Sequence, residues 1–160
     1  MRLYLAGPMT GLPLWNFPAF AVAAAALRSE GHTVLSPAEH DRELGWSPFG
    51  EDPPTEEQLE KMFQWDLAMI SAGPMDMSYS SLIRNPVDAV ALLPGWARSP
   101  GAKLEALVAQ KCGRKLYRFE FENDPGGPQG LRFLREIHPP TLEARFVGEE
   151  LAGSAERDWS

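Results

Sequence analysis

Cysteine, histidine, positive charge and long apolar runs are all scarce in this chain. Its 160 residues include one cysteine, Cys112, so no disulfide forms within the chain and nothing implies an oxidising compartment. The three histidines, His32, His40 and His138, show no metal-ligand spacing with one another or with that thiol. No metal is expected, and no motif calls for a cofactor. The most apolar early stretch, Ala19 to Leu27, is far short of the ~20 residues that a membrane span needs. It follows Asn16-Phe17-Pro18 rather than a basic segment, which argues against a signal peptide. A cytoplasmic protein with no membrane partner is the expectation. Lys and Arg number 15 against 22 Asp and Glu, a formal net charge of −7. Polymeric nucleic acid is held by clustered Lys and Arg, so a nucleic acid polymer is not an expected partner. A small anion remains possible, because a helix N-terminus binds one without net positive charge.

What is present reads as one globular domain. The chain is 44% hydrophobic and 23% charged, ordinary values for a folded soluble protein. Arg2 to Ala6 is a short apolar run stopped by Gly7-Pro8, as in a buried strand ending in a turn. Asn16 is placed to cap a helix whose apolar positions Phe20, Ala23, Ala24 and Leu27 recur at helical spacing until Gly31. His32 to Ser36 reads as a second strand, and Pro37 to Pro54 as a long polar loop. Thr55 and Gln58 form a capping-box pair opening a helix to about Ile70, with Leu59, Met62, Phe63, Leu67 and Ile70 as its apolar stripe and Asp66 inside it. Ser71 to Pro86 reads as an insertion or lid. Val87 to Leu93 is a strand, Pro94 to Pro100 a loop, Gly101 to Lys111 a helix and Lys115 to Phe119 a fourth strand.

Alternation of this kind predicts an α/β fold: a Rossmann-like (flavodoxin-like) doubly wound parallel sheet in a single domain over residues 1–119. Residues 120–160 hold nine acids and four arginines. This acidic C-terminal extension is expected to be partly disordered or to make oligomer contacts, with a further helix over Leu131 to Ile137.

In an open parallel sheet, ligands bind beyond the carboxyl ends of the strands. The segments leaving such ends are Gly7 to Asn16, Pro37 onward, and Pro94 to Gly101. Glu105 falls on the apolar side of its helix, one turn from the start, with Ala102, Val108, Ala109 and Cys112. A carboxylate there is costly unless paired or hydrogen-bonded. Asp66 poses the same problem on its own helix. Two such acids can converge on one site and divide the roles of nucleophile and proton donor, or each can serve as a local cap or salt bridge.

The motifs Tyr4-Leu5-Ala6-Gly7-Pro8-Met9-Thr10-Gly11, Asn16-Phe17-Pro18-Ala19-Phe20, Gly31-His32-Thr33-Val34, Leu93-Pro94-Gly95-Trp96 and Ser99-Pro100-Gly101-Ala102-Lys103-Leu104-Glu105 resemble those of the nucleoside 2-deoxyribosyltransferase superfamily. The nearest branch is one common in phage genomes and labelled a domain of unknown function (DUF4406). The resemblance spans residues 2 to 119 and implies cleavage of the N-glycosidic bond of a nucleoside or nucleoside 5′-monophosphate, by hydrolysis or base exchange. It maps the nucleophile to Glu105, the acid that protonates the leaving base to Asp66, and a neighbouring aromatic residue to Tyr4. Gly7, Pro8 and Met9 match the loop that lines sugar and base; Asn16 and Gly95 lie in the same motifs.

The substrate is less defined. Ser99 and Gly101 suit a 5′-phosphate at a helix N-terminus, and Ser99 equally suits a plain N-cap. Trp15 and Trp96 are candidates for stacking on the base or for packing, Trp96 being the better placed. Asp88 reads as a strand-entry residue. The first loop lacks the arginine that some monophosphate hydrolases carry there. The resemblance also implies a homo-oligomer. A second class of function stays open: a Rossmann-like module that binds a nucleotide without turning it over.

Overall fold

The computed structural model describes residues 1–50, 52–72, 87–121 and 134–138. Its strands are β1 (Arg2–Ala6), β2 (Thr33–Leu35), β3 (Ala89–Leu92), β4 (Lys115–Phe119) and β5 (Leu134–Ile137), in the sheet order β2-β1-β3-β4-β5. The first four are parallel, with Tyr4 opposite Leu35 on one side and Val90 on the other. β5 runs antiparallel along β4, with Leu134 opposite Phe119. The helices are α1 (Phe17–Ser29), α2 (Pro37–Glu43), α3 (Glu56–Ser71) and α4 (Pro100–Lys111).

Strand alternation divides the core in two. Leu3, Leu5, Ala89, Ala91, Tyr117 and Phe119 pack with Phe17, Phe20 and Leu27 of α1 on one face. Tyr4, Ala6, Val90, Leu92 and Leu116 pack with Met69 and Ile70 of α3 and Ala102, Ala106 and Ala109 of α4 on the other. Continuous apolar strands are expected where helices cover both faces of a parallel sheet. The chain reverses its winding between β1 and β3, so their carboxyl ends form the switch point where an open α/β sheet leaves a crevice.

Three expectations change. The segment after β2, read as loop, begins with the helix α2, which buries Pro37, Ala38 and Asp41. Seven residues dominated by Glu39, His40, Asp41, Arg42 and Glu43 carry too little apolar periodicity to announce a helix. Packing and a two-pronged Arg28–Glu39 ion pair, at 2.6 and 2.7 Å, hold it in place. Residues 134–137, expected within a helix, form β5 instead. There the edge of β4 supplies backbone partners that local sequence cannot reveal, and Lys115–Glu136 at 3.4 Å and Arg135–Glu120 at 3.6 Å flank the ladder. On α3, Leu59 and Phe63 lie exposed rather than in the core.

Other local readings match. Thr55 and Gln58 form a reciprocal capping box, with the Gln58 amide donating to Thr55 Oγ1 at 3.2 Å and the Thr55 amide to Gln58 Oε1 at 2.9 Å. Asp88 accepts a 2.6 Å bond from the Arg2 amide at the entry to the sheet. Most of the 71–86 insertion, the start of the 131–137 segment and everything from residue 139 onward lie outside the described residues. Among the described residues, no helix is long and apolar enough to cross a membrane.

Candidate active site

A cleft of about 750 Å³ opens at the switch point. One wall is the loop after β1, with Gly7, Pro8, Met9, Leu12 and Trp15; the facing wall is the segment after β3, with Pro94, Gly95, Arg98, Ser99 and Gly101. α2 and the turn after it contribute Asp41 and Trp46, and α3 contributes Leu59, Met62, Phe63 and Asp66. Leu59 and Phe63 depart from the core because they line this mouth.

Two glycines permit the close approach of the loops. A Cβ on Gly7 would lie 2.8 Å from Leu93 Cβ, and Gly95 adopts φ +83 with Pro8 beside it. The loop after β1 ends in three successive left-handed residues, Leu14, Trp15 and Asn16, at φ 50, 49 and 58. That conformation costs roughly 1–2 kcal/mol per non-glycine residue. Two contacts oppose the cost: Trp15 meets Trp46 edge-on at 5.2 Å, and Asn16 Nδ2 donates to the Pro8 carbonyl at 2.8 Å. Asn16 therefore ties the loop together instead of capping α1 through its side chain.

Glu105 lies at the cleft floor with 7% of its surface exposed. The fully buried Tyr4 hydroxyl donates to Glu105 Oε1 at 2.9 Å, joining residues 101 positions apart. The Tyr4 hydroxyl also reaches the Asp66 carboxylate, whose Oδ1 is buried without a hydrogen-bond partner. Burial drives the Glu105 carboxyl well above the usual carboxylate range; the nearby Asp66 adds to the rise and the Tyr4 bond opposes it. Burial likewise pushes Asp66 up to about 7, with Tyr4 opposing and Asp41 adding. Two acids so close in a dry site titrate as a pair and tend to hold one proton between them.

α4 begins at this cleft because Ser99 caps it, its Oγ accepting from the Ala102 amide at 3.3 Å. Pro100 occupies the first turn, where a missing N–H is harmless. Ser99 thus acts as an N-cap, and the helix start still faces the cleft beside Arg98. That end favours an anion.

Glu105, Asp66, Tyr4, Gly7, Pro8, Met9, Gly95, Ser99 and Gly101 are brought to or directly beneath one cleft. Trp96 is not: it is 1% exposed and packs in the core against the α4 face of the sheet, so it offers no stacking surface. Trp15, and Trp46 beside it, line the cleft in its place. Sequence reasoning missed Asp41, which is 5% exposed and pushed by burial to about 7. Its signal was its place just beyond the carboxyl end of β2, three residues after Ala38 on one helical face. Among the described residues, no group of three or more His, Cys, Asp and Glu is arranged to hold a metal ion.

Fold and cleft together define an α/β protein of the doubly wound class with a buried glutamate, Glu105, and a half-buried aspartate, Asp66, at its ligand crevice. The family described as Domain of unknown function (DUF4406) matches residues 1–118, and the chain belongs to that family. No curated protein matches it.

Proposed function

We propose that the chain cleaves the N-glycosidic bond of a deoxynucleoside, nucleoside or nucleoside 5′-monophosphate, as a member of the nucleoside 2-deoxyribosyltransferase superfamily acting by hydrolysis or base exchange. The observation that carries this reading is the cluster of Glu105, Asp66 and Tyr4 on the floor of an apolar cleft at the sheet's switch point. Such a pair suits displacement at an anomeric carbon. With the shared proton on Asp66, the Glu105 carboxylate attacks C1′ while Asp66 protonates the departing base nitrogen. The products are a glycosyl ester on Glu105, a free base and an ionised Asp66. Water, deprotonated by Asp66, then attacks the ester carbon of the sugar, releasing the sugar and regenerating the Glu105 carboxylate. A second base in place of water makes a new nucleoside. Tyr4 holds the nucleophile and stabilises its ionised form, while the α4 N-terminus and Arg98 suit a 5′-phosphate.

One observation favours a second reading. Burial raises the Glu105 carboxyl well above the usual carboxylate range, and a carboxyl that favours its neutral form suits gripping a ribose hydroxyl in a module that binds without turnover. Incubation with a panel of nucleosides and 5′-monophosphates, followed by chromatography for free base, separates the two. Release that disappears in Glu105→Ala supports cleavage. Binding of an unchanged nucleotide with no base released on long incubation supports the module. Added free base yields a new nucleoside only if the enzyme is a transferase.

A further inference from the structure

Asp41 has no part in the chemistry above, and its surroundings do not explain it. A carboxylate 5% exposed is ordinarily paired. Among the described residues no hydrogen bond or ion pair to the Asp41 side chain exists, and burial is the sole cause of its raised pKa. The side chain nevertheless lines the cleft. A carboxylate that has no protein partner and lines a ligand cavity is suited to a ligand that brings the missing donors.

Its position says which part of a nucleotide that is. The sheet order places β1 between β2 and β3. Arg98 and the start of α4 follow β3, the Tyr4–Glu105 pair sits on the β1 side of α4, and Asp41 follows β2. Two strand spacings separate the outer elements, ~10 Å, the scale of a nucleotide from phosphate to base edge. With phosphate at α4 and C1′ at Glu105, the base points toward Asp41. Trp15 and Trp46 flank that end, and the Trp46 amide donates to the Asp41 carbonyl at 3.1 Å, keeping the turn against the acid.

A carboxylate has two acceptors and no donor. Guanine presents two adjacent donors, N1–H and the 2-amino group. Adenine and cytosine present one donor beside an acceptor, which would face a carboxylate oxygen with a lone pair. We propose that Asp41 is a specificity-determining residue, its carboxylate accepting both N–H donors of a guanine-type base. This inference rests on the nucleotide reading of the cleft.

Calorimetry at about pH 8, where Asp41 is mostly ionised, on Glu105→Gln, which holds the substrate uncleaved, tests it with the 5′-monophosphates of deoxyguanosine, deoxyinosine, deoxyadenosine, deoxycytidine and thymidine. Deoxyinosine monophosphate differs from the guanine nucleotide only by the missing 2-amino group. The guanine nucleotide is expected to bind tighter than the others by roughly 10-fold or more, the value of a charge-assisted hydrogen bond. Adding Asp41→Asn should erase that preference while leaving deoxyinosine monophosphate within about 3-fold of its parent affinity. Equal binding of guanine and hypoxanthine nucleotides, or tighter binding of another base, overturns the proposal. So does an Asp41→Asn loss spread evenly over the panel. The guanine–hypoxanthine comparison retains Asp41, so it decides the matter even if the double variant fails to fold. If no nucleotide binds while the protein stays folded, the proposed function fails and this inference falls with it.

Discussion

Replacing Asp41 with Asn should make the protein more stable at alkaline pH and leave it nearly unchanged in acid. In the folded chain, burial moves this carboxyl from 3.8 to about 7. The folded state therefore holds the proton more tightly than the unfolded one. The resulting stabilisation is complete below the unfolded value and is lost as pH rises through about 7. That displacement corresponds to ~4 kcal/mol between the two limits. Asparagine resembles the protonated acid in size and carries no charge, so it escapes the loss. Its amide, left without partners, costs about 1 kcal/mol. The variant should match the parent within ~1 kcal/mol near pH 4 and exceed it by roughly 3 kcal/mol near pH 9. Asp66, whose own pKa is raised in part by Asp41, shifts the balance in the same direction. Urea denaturation at unit pH steps from 4 to 9 measures this, read as a midpoint difference at constant slope. A stability difference that stays flat across the range would refute the reasoning, because it would mean that Asp41 has the same pKa folded and unfolded.

Two further substitutions probe the cleft. Tyr4→Phe removes the 2.9 Å bond that opposes the upward shift of Glu105. The acid limb of the pH–rate profile for base release should then move to higher pH, with a loss of about 1–3 kcal/mol in transition-state stabilisation at neutral pH; an unmoved acid limb would sink this role. Gly7→Ala places a Cβ 2.8 Å from Leu93 Cβ, and the overpacking should cost ~1–3 kcal/mol in thermal or urea unfolding. A fully stable Gly7→Ala protein would show that the loop after β1 retreats freely.

The sheet and the paired acids were legible in the sequence for a local reason. Buried parallel strands such as Arg2–Ala6 are continuous apolar runs, and Glu105 and Asp66 stand out because each interrupts an apolar face. α2 was not legible, since a short helix whose buried positions include an aspartate has no clean apolar period. β5 was hidden for another reason: its partner is β4, and hydrogen bonds between strands are not written in either strand alone. Trp96 shows the limit at a single side chain. Its place after Pro94-Gly95 suggested the cleft, but packing against Tyr4's side of the sheet turned it inward.

The residues themselves determined the order of the four parallel strands with α1, α3 and α4, the two carboxylates worth examining and the loops that leave the strand ends. These depend on spacing along a few turns of chain. Only the tertiary structure decided that Tyr4 bonds Glu105 across 101 positions, that Asp66 shares their site and that Asp41 joins it from α2. Burial, which sets every raised pKa in the cleft, is a property of the packed chain: water is excluded only when all these elements meet.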